Sequence, residues 1–164
     1  MEYSAKKIRR IVTSHNDNGQ SMVWKDGFAG NVKSPTADIT STLLWSSDEM
    51  PIDFLNNEDY GDRILGTAPP ENGIRFTILE MAPHSTKSIM HRTDTLDYVV
   101  CIEGEMIHHL DKETVTLKPG DVIIQRGTNH CWENRGDVPA RVVVVLVDGK
   151  PKRKGSVAGS ENAR

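Results

Sequence analysis

Three side chains able to do chemistry stand at spacings that neighbouring strands can bring together: His91, Asp97 and His130. Two imidazoles and one carboxylate can fill one face of a coordination sphere and leave the other positions to water or substrate. Nitrogen and oxygen donors of this kind suit iron, zinc, nickel or manganese, and the donor set alone does not choose among them. The same residues also support metal-free chemistry, with Asp97 as a base whose pKa is raised by an apolar cavity. A plainer reading is equally open: each histidine a satisfied buried polar residue, and Asp97 paired with Arg92 or Arg126. Spacing by itself does not separate these readings.

The elements that must position these groups are strands. Apolar residues alternate with period two in short runs, which predicts strands at 8–13, 21–24 and 40–45. Residues 46–72 read as a long irregular connection containing Pro51, Gly61, Gly66, Pro69 and Pro70. Within it 52–60 is expected to form a short helix, and 51–72 has the length of a lid, with Tyr60 over the barrel opening. From Gly73 the pattern is denser. Ile74, Phe76 and Ile78 alternate with Arg75 and Thr77 over 73–81, and 97–102 and 106–110 make a hairpin about Glu103-Gly104-Glu105. Strands at 114–117, 122–125, 130–134 and 140–147 follow, separated by Pro119-Gly120-Asp121, Gly127 and Gly136-Asp137. Tight turns, and no helical stretch long enough to cover a parallel sheet, predict an all-β antiparallel barrel or sandwich.

Strand parity then sorts the side chains. If Asp97 points into the barrel, Val99 and Cys101 do so too, while Tyr98, Val100 and Ile102 point away. His130, Trp132 and Asn134 share one face and Cys131 takes the other, so Cys101 and Cys131 are not expected to form a disulfide. His108 and His109 must split across their strand. Met106 and Leu110 share the parity of His108, which is therefore expected to face inward as a proton shuttle.

Composition bounds the rest. A chain of 164 residues with 37% hydrophobic and 26% charged residues fits one domain with an ordinary core and excludes a mostly disordered chain. The longest apolar run, 142–147, is far short of the ~20 residues that cross a bilayer. No apolar stretch follows the charged residues 1–10, so no secretory signal is expected, and a cytoplasmic location fits a chain with two cysteines. The chain is at −3, but residues 149–164 form a basic tail at +4, expected to be flexible, so the body carries −7. An acidic body is a poor surface for nucleic acid, and neither nucleic acid nor a membrane is expected as a partner.

Two motifs carry a family resemblance. Met90-His91-Arg92-Thr93 through Asp97 to Gly104 resembles the first motif of the cupin superfamily, and Gly120-Asp121 through Gly127-Thr128-Asn129-His130-Cys131-Trp132 to Asn134 resembles the second. The similarity covers residues 74–148, within a single domain spanning 1–148. It implies a double-stranded β-helix, the cupin jelly-roll barrel, with an N-terminal strand extension. It also implies a homodimer in which outer sheet faces meet, and the apolar second face of 142–147 is consistent with that. The resemblance puts metal ligands at His91, Asp97 and His130, with Thr93 in the place of the family's second histidine and Arg126 where proline is usual. Metal-bound and metal-free forms are both open. Arg92 or Arg126 is expected to fix an anionic group, with Thr93 and Trp132 lining the substrate. The implied function is a small enzyme, a lyase or isomerase, acting on a carbonyl-containing or aromatic small molecule by decarboxylation, dehydration or double-bond migration, with Asp97, His108 and Arg92 as catalytic residues. A non-catalytic binding module and an iron-dependent dioxygenase are the alternatives.

Overall fold

Among the residues that the computed structural model describes, 4–54 and 56–150, eleven strands follow one another without a helix. They are β1 (Arg9–His15), β2 (Ser21–Phe28), β3 (Val32–Thr36), β4 (Ile39–Ser47), β5 (Ile74–Met81), β6 (Thr95–Glu103), β7 (Met106–Leu110), β8 (Thr114–Leu117), β9 (Val122–Arg126), β10 (His130–Glu133) and β11 (Ala140–Asp148). Six of them form one sheet in the spatial order β3-β4-β5-β11-β6-β9, and three form a second sheet in the order β10-β7-β8. The two sheets send Met81, Val99, Val142, Met106, Leu117 and Trp132 into a shared core, closing a jelly-roll barrel. The pairings are antiparallel, as tight turns require.

Turn chemistry fixes the hairpin that carries Asp97. Gly104 joins β6 to β7 with φ 66, a left-handed conformation that costs glycine little, and a Cβ there would lie 2.4 Å from the Pro139 carbonyl oxygen. On β6, Thr95, Asp97, Val99 and Cys101 are buried, while Tyr98 and Ile102 are each 44% exposed. The parity expected for this strand holds. Both cysteines are buried and free.

The outer face of the large sheet is covered in part, over β4, β5 and β11, by N-terminal residues of the same chain. Strands β1 and β2 form a separate hairpin, and Ile8 and Ala29 beside it pack on Leu44, Phe76, Ile78 and Val143. The apolar second face of 142–147, expected to meet a second subunit, is therefore in part covered at Val143 within one chain. The cover given by Ile8 and Ala29 explains the alternation of β5 as well. Phe76 and Ile78 serve the outer layer, and Arg75, Thr77, Leu79 and Met81 line the interior, so both faces of the strand find partners.

Two local expectations are corrected. Strand β3 lies outside the strands that the alternation predicts, since Pro35 interrupts it; it forms as a fully exposed edge strand, where proline's missing N–H is harmless. Residues 52–60 contain no helix among those described. There the Asn56 and Asp59 side chains accept bonds from the Glu58 and Gly61 amides, a local alternative to the helical ladder. The basic tail expected at 149–164 lies, from residue 151 on, outside the described residues.

Candidate active site

A cavity of about 910 Å³ opens between the sheets. Its walls are largely apolar, with Leu79, Met81, Val99, Val144, Leu146 and Trp132 among them, and His91, Thr93, Asp97, Gln125 and His130 cluster on it. The large sheet sets the row in which the carboxylate stands. Leu146 on β11 pairs with Arg75 on β5 at one side and Asp97 on β6 at the other, and Asp97 pairs in turn with Gln125 on β9. The two histidines meet because His91 and His130 exchange both backbone hydrogen bonds in an isolated bridge, each at 2.9 Å. Their ring centroids lie 4.4 Å apart.

Both imidazoles have their tautomers fixed by the backbone. His91 Nδ1 donates to the Ile89 carbonyl and His130 Nδ1 to the Thr128 carbonyl, each at 2.9 Å, which makes Nε2 the acceptor nitrogen of each neutral ring. Burial drives the His130 pKa down to about 3, with His91 and His108 adding to the effect against the Thr128 carbonyl, so this ring is neutral at physiological pH. Burial also lowers His108.

Gln125 is the hub that motif reading missed. Its Nε2 donates to Asp97 Oδ2 in a short bond and lies 3.4 Å from His130 Nε2, while its Oε1 accepts from His108 Nε2 at 2.8 Å. The amide orientation follows from that network, since a carboxylate can only accept. The available signal was parity: Gln125 is a polar residue at an inward position of a Val-Ile-Ile strand, two residues beyond inward Ile123. Asp97 itself is 3% exposed and its Oδ1 is buried without a hydrogen-bond partner. Burial raises its pKa, opposed in part by the Thr95 hydroxyl, the Gln125 amide and nearby His91.

These residues do not fit a bound divalent ion as they stand. The Gln125 NH2 group occupies the space between Asp97 Oδ2 and His130 Nε2 that a shared cation would need, and it satisfies both as a donor. Thr93, at the place of a further histidine, is buried with its hydroxyl 2.6 Å from that of Thr95. Among the described residues no group of three His, Cys, Asp or Glu side chains is arranged to hold a metal ion.

The remaining candidates separate clearly. Trp132 lines the cavity, its ring centroid 4.3 Å from that of His108. His108 is 2% exposed and faces inward, but it stands behind Gln125 rather than on the cavity wall; His109 takes the other face and binds Glu133 at 2.8 Å. Neither arginine expected to fix an anion reaches the cavity. Arg92 lies 3.6 Å from Asp94 Oδ1, and Arg126 is exposed on the edge strand β9, its side chain directed away by the parity that turns Gln125 inward. The arginine that does line the cavity is Arg75, on the polar parity of β5. The connection 51–72 contributes Leu65, Gly66 and Thr67 to the rim, whereas Tyr60 is buried against Trp45 and under Arg63, away from the opening.

The sequence matches the model of the cupin domain over residues 77–146. It is 46% identical over 158 residues to the Oryzines biosynthesis cluster protein J of Aspergillus oryzae, spanning 88% of this chain and 85% of the relative. A cupin-domain-containing oxidoreductase of Neurospora crassa is 31% identical over 153 residues, spanning 88% of this chain and 77% of that one. The chain spans 61% of the length of a Phomopsin biosynthesis cluster protein of Diaporthe leptostromiformis, at 37% identity over 116 residues, or 66% of this chain. Among solved structures, that of an ethanolamine utilization protein Q of Salmonella typhimurium superposes with a TM-score of 0.50 at 13% identity, covering 89% of this chain and 100% of the other, which bears on the fold alone. With its barrel, its two motifs and these relatives together, the chain belongs to the cupin superfamily.

Proposed function

We propose that this protein is a small cupin enzyme, a lyase or isomerase, in which Asp97 moves a proton on a carbonyl-containing small molecule bound in the barrel. The observation that carries this reading is the state of Asp97: a carboxylate on the wall of a largely apolar cavity, with one oxygen clamped by Gln125 and the other without a partner. A carboxylate in that setting is a stronger base than one in water, because the surroundings stabilise its anion poorly. It takes a proton from the carbon next to a carbonyl. Where the carbonyl is β,γ-unsaturated, returning the proton to the γ-carbon of the resulting dienolate completes a double-bond migration; where it carries a β-hydroxyl, loss of that group as water, protonated on leaving, completes a dehydration. Gln125 holds the carboxylate in one rotamer, and His108 holds Gln125 through Nε2–H. His91 presents an Nε2 lone pair that can take up or relay the proton. Trp132 and the aliphatic wall exclude water from the anionic intermediate.

The test is Asp97→Asn, which keeps the shape and the cavity while removing the base. Loss of turnover in a folded variant supports the reading, and retained turnover overturns it. Elemental analysis of protein purified without a chelating tag is the companion measurement. One tightly held transition metal per chain would replace the metal-free scheme. A second reading, an oxidoreductase, is favoured by the description of the Neurospora relative. Substrate-dependent oxygen uptake would select it, and ligand stabilisation without any product would select a binding module.

A further inference from the structure

The cavity carries more positive charge than its own acid can balance. Lys33, Arg75 and Lys87 line it, and Asp97 is the one carboxylate among its lining residues, although the chain as a whole is at −3. Of the three cations Arg75 stands apart, because it is only 8% exposed. Its Nη1 donates to the Thr67 carbonyl at 2.6 Å and its Nη2 to the Ser41 hydroxyl at 3.2 Å, while its Nε–H is buried with no acceptor. No aspartate or glutamate among the described residues pairs with it. Among the described residues, other shielded arginines do have one: Arg141 holds Glu80 and Glu103, Arg10 holds Asp59, and Arg63 holds Asp48 and Glu58. A guanidinium has five N–H donors and cannot shed its charge by deprotonating at physiological pH, so burial without an anion is costly. An anion that arrives with the ligand removes that cost.

The register says where such an anion sits. Arg75 and Asp97 both pair with Leu146, one strand to either side of it. Two strand spacings put their α-carbons about 10 Å apart on the same inner face. Between and beyond them the wall is Leu146, Val144, Leu79 and Val99. A ligand laid across this row meets a cation at one end, aliphatic side chains in the middle and the Asp97 cluster at the other end.

We infer that Arg75 binds a carboxylate group of the substrate, and that the substrate is an apolar, ring-sized carboxylic acid whose reacting carbon lies at the Asp97 end. The inference rests on the proposed use of this cavity as a small-molecule site and names the substrate class for it. A guanidinium fork suits a planar carboxylate better than an ammonium does, which sets Arg75 apart from Lys33 and Lys87.

The experiment is a calorimetric titration of the full chain with 2-naphthoate and with its neutral counterpart 2-naphthamide, at low ionic strength. Wild type is expected to bind the carboxylate about tenfold or more tightly than the amide. Arg75→Met should erase that preference while still binding the amide, and Lys33→Met and Lys87→Met should each retain it. Equal binding of both probes by wild type, or an undiminished preference in Arg75→Met, overturns the inference. Loss of the preference in either lysine variant alone does so as well. If Arg75→Met does not fold by circular dichroism, Arg75→Lys decides: a preference cut several-fold supports the fork, and an unchanged one overturns it. An arginine serving only to tie the Thr67 segment would change stability without changing the ratio of the two probes. Asp97→Asn separates the two proposals, because it should abolish turnover and leave the carboxylate preference in place.

Discussion

Asp97 has one oxygen engaged by Gln125 and the other buried without a partner. Asp97→Asn is expected to lower turnover by about 10²-fold or more, the range of a lost general base, with the thermal unfolding midpoint retained or raised. Gln125 makes a complementary prediction. Gln125→Leu would leave Asp97 Oδ2, His130 Nε2 and the His108 Nε2–H without their partner, which should cost on the order of 3 kcal/mol in chemical denaturation, because unsatisfied buried polar groups bear their full desolvation cost. A variant as stable as wild type would show that the hub is not formed in solution.

At the scale of the element, the connection after β4 is held by a charge cluster rather than by a helix. Asp59 accepts from Arg10 on β1 at 2.7 and 2.6 Å and from Lys25 on β2 at 2.8 Å. Burial would raise its pKa, but those bonds and the Gly61 amide outweigh that and hold it at about 2. A carboxyl group that is more acidic in the folded chain than in the unfolded one stabilises the fold at neutral pH. That contribution is complete above about pH 4 and is lost as the pH falls toward 2. Asp59→Asn should therefore lower stability at pH 7 on the order of 2 kcal/mol, with a gap from wild type that closes in acid. A gap independent of pH would place the effect elsewhere. Gly104 gives a second test at this scale. Gly104→Ala should destabilise on the order of 2 kcal/mol, since it forces a side chain into a left-handed turn against the Pro139 carbonyl. An unchanged unfolding midpoint would contradict the turn geometry.

For the molecule as a whole, the barrel's two surfaces divide its work. Ile8 and Ala29, which flank the N-terminal hairpin, pack on the outside of β4, β5 and β11, while Tyr98, Val122 and Ile124 stay exposed on the outer face of β6 and β9, with β9 at the sheet edge. A second copy of the chain meeting that face is the proposed association. Ile124→Glu, at a side chain 54% exposed, should then shift light-scattering mass from dimer to monomer without loss of fold. Unaltered mass in both proteins would remove this face from consideration.

The sequence by itself determined an all-β antiparallel architecture, its strands from 73 onward and the parity of Asp97, because local alternation and turn residues fix which way each side chain of a strand points; the barrel was implied by the resemblance that the two motifs carry. It did not determine what those strands face. Arg75 reads as the polar side of an amphipathic strand, yet it lies inside, since Ile8 and Ala29 supply apolar partners for the other side. Gln125 carries no motif signal, yet it joins Asp97, His108 and His130, because β9 pairs with β6 at a register set by the whole sheet. Arg92 and Arg126 carry the right chemistry beside the motifs and point elsewhere. Which polar groups share a cavity depends on contacts between residues far apart in the chain, and only the tertiary structure decides those.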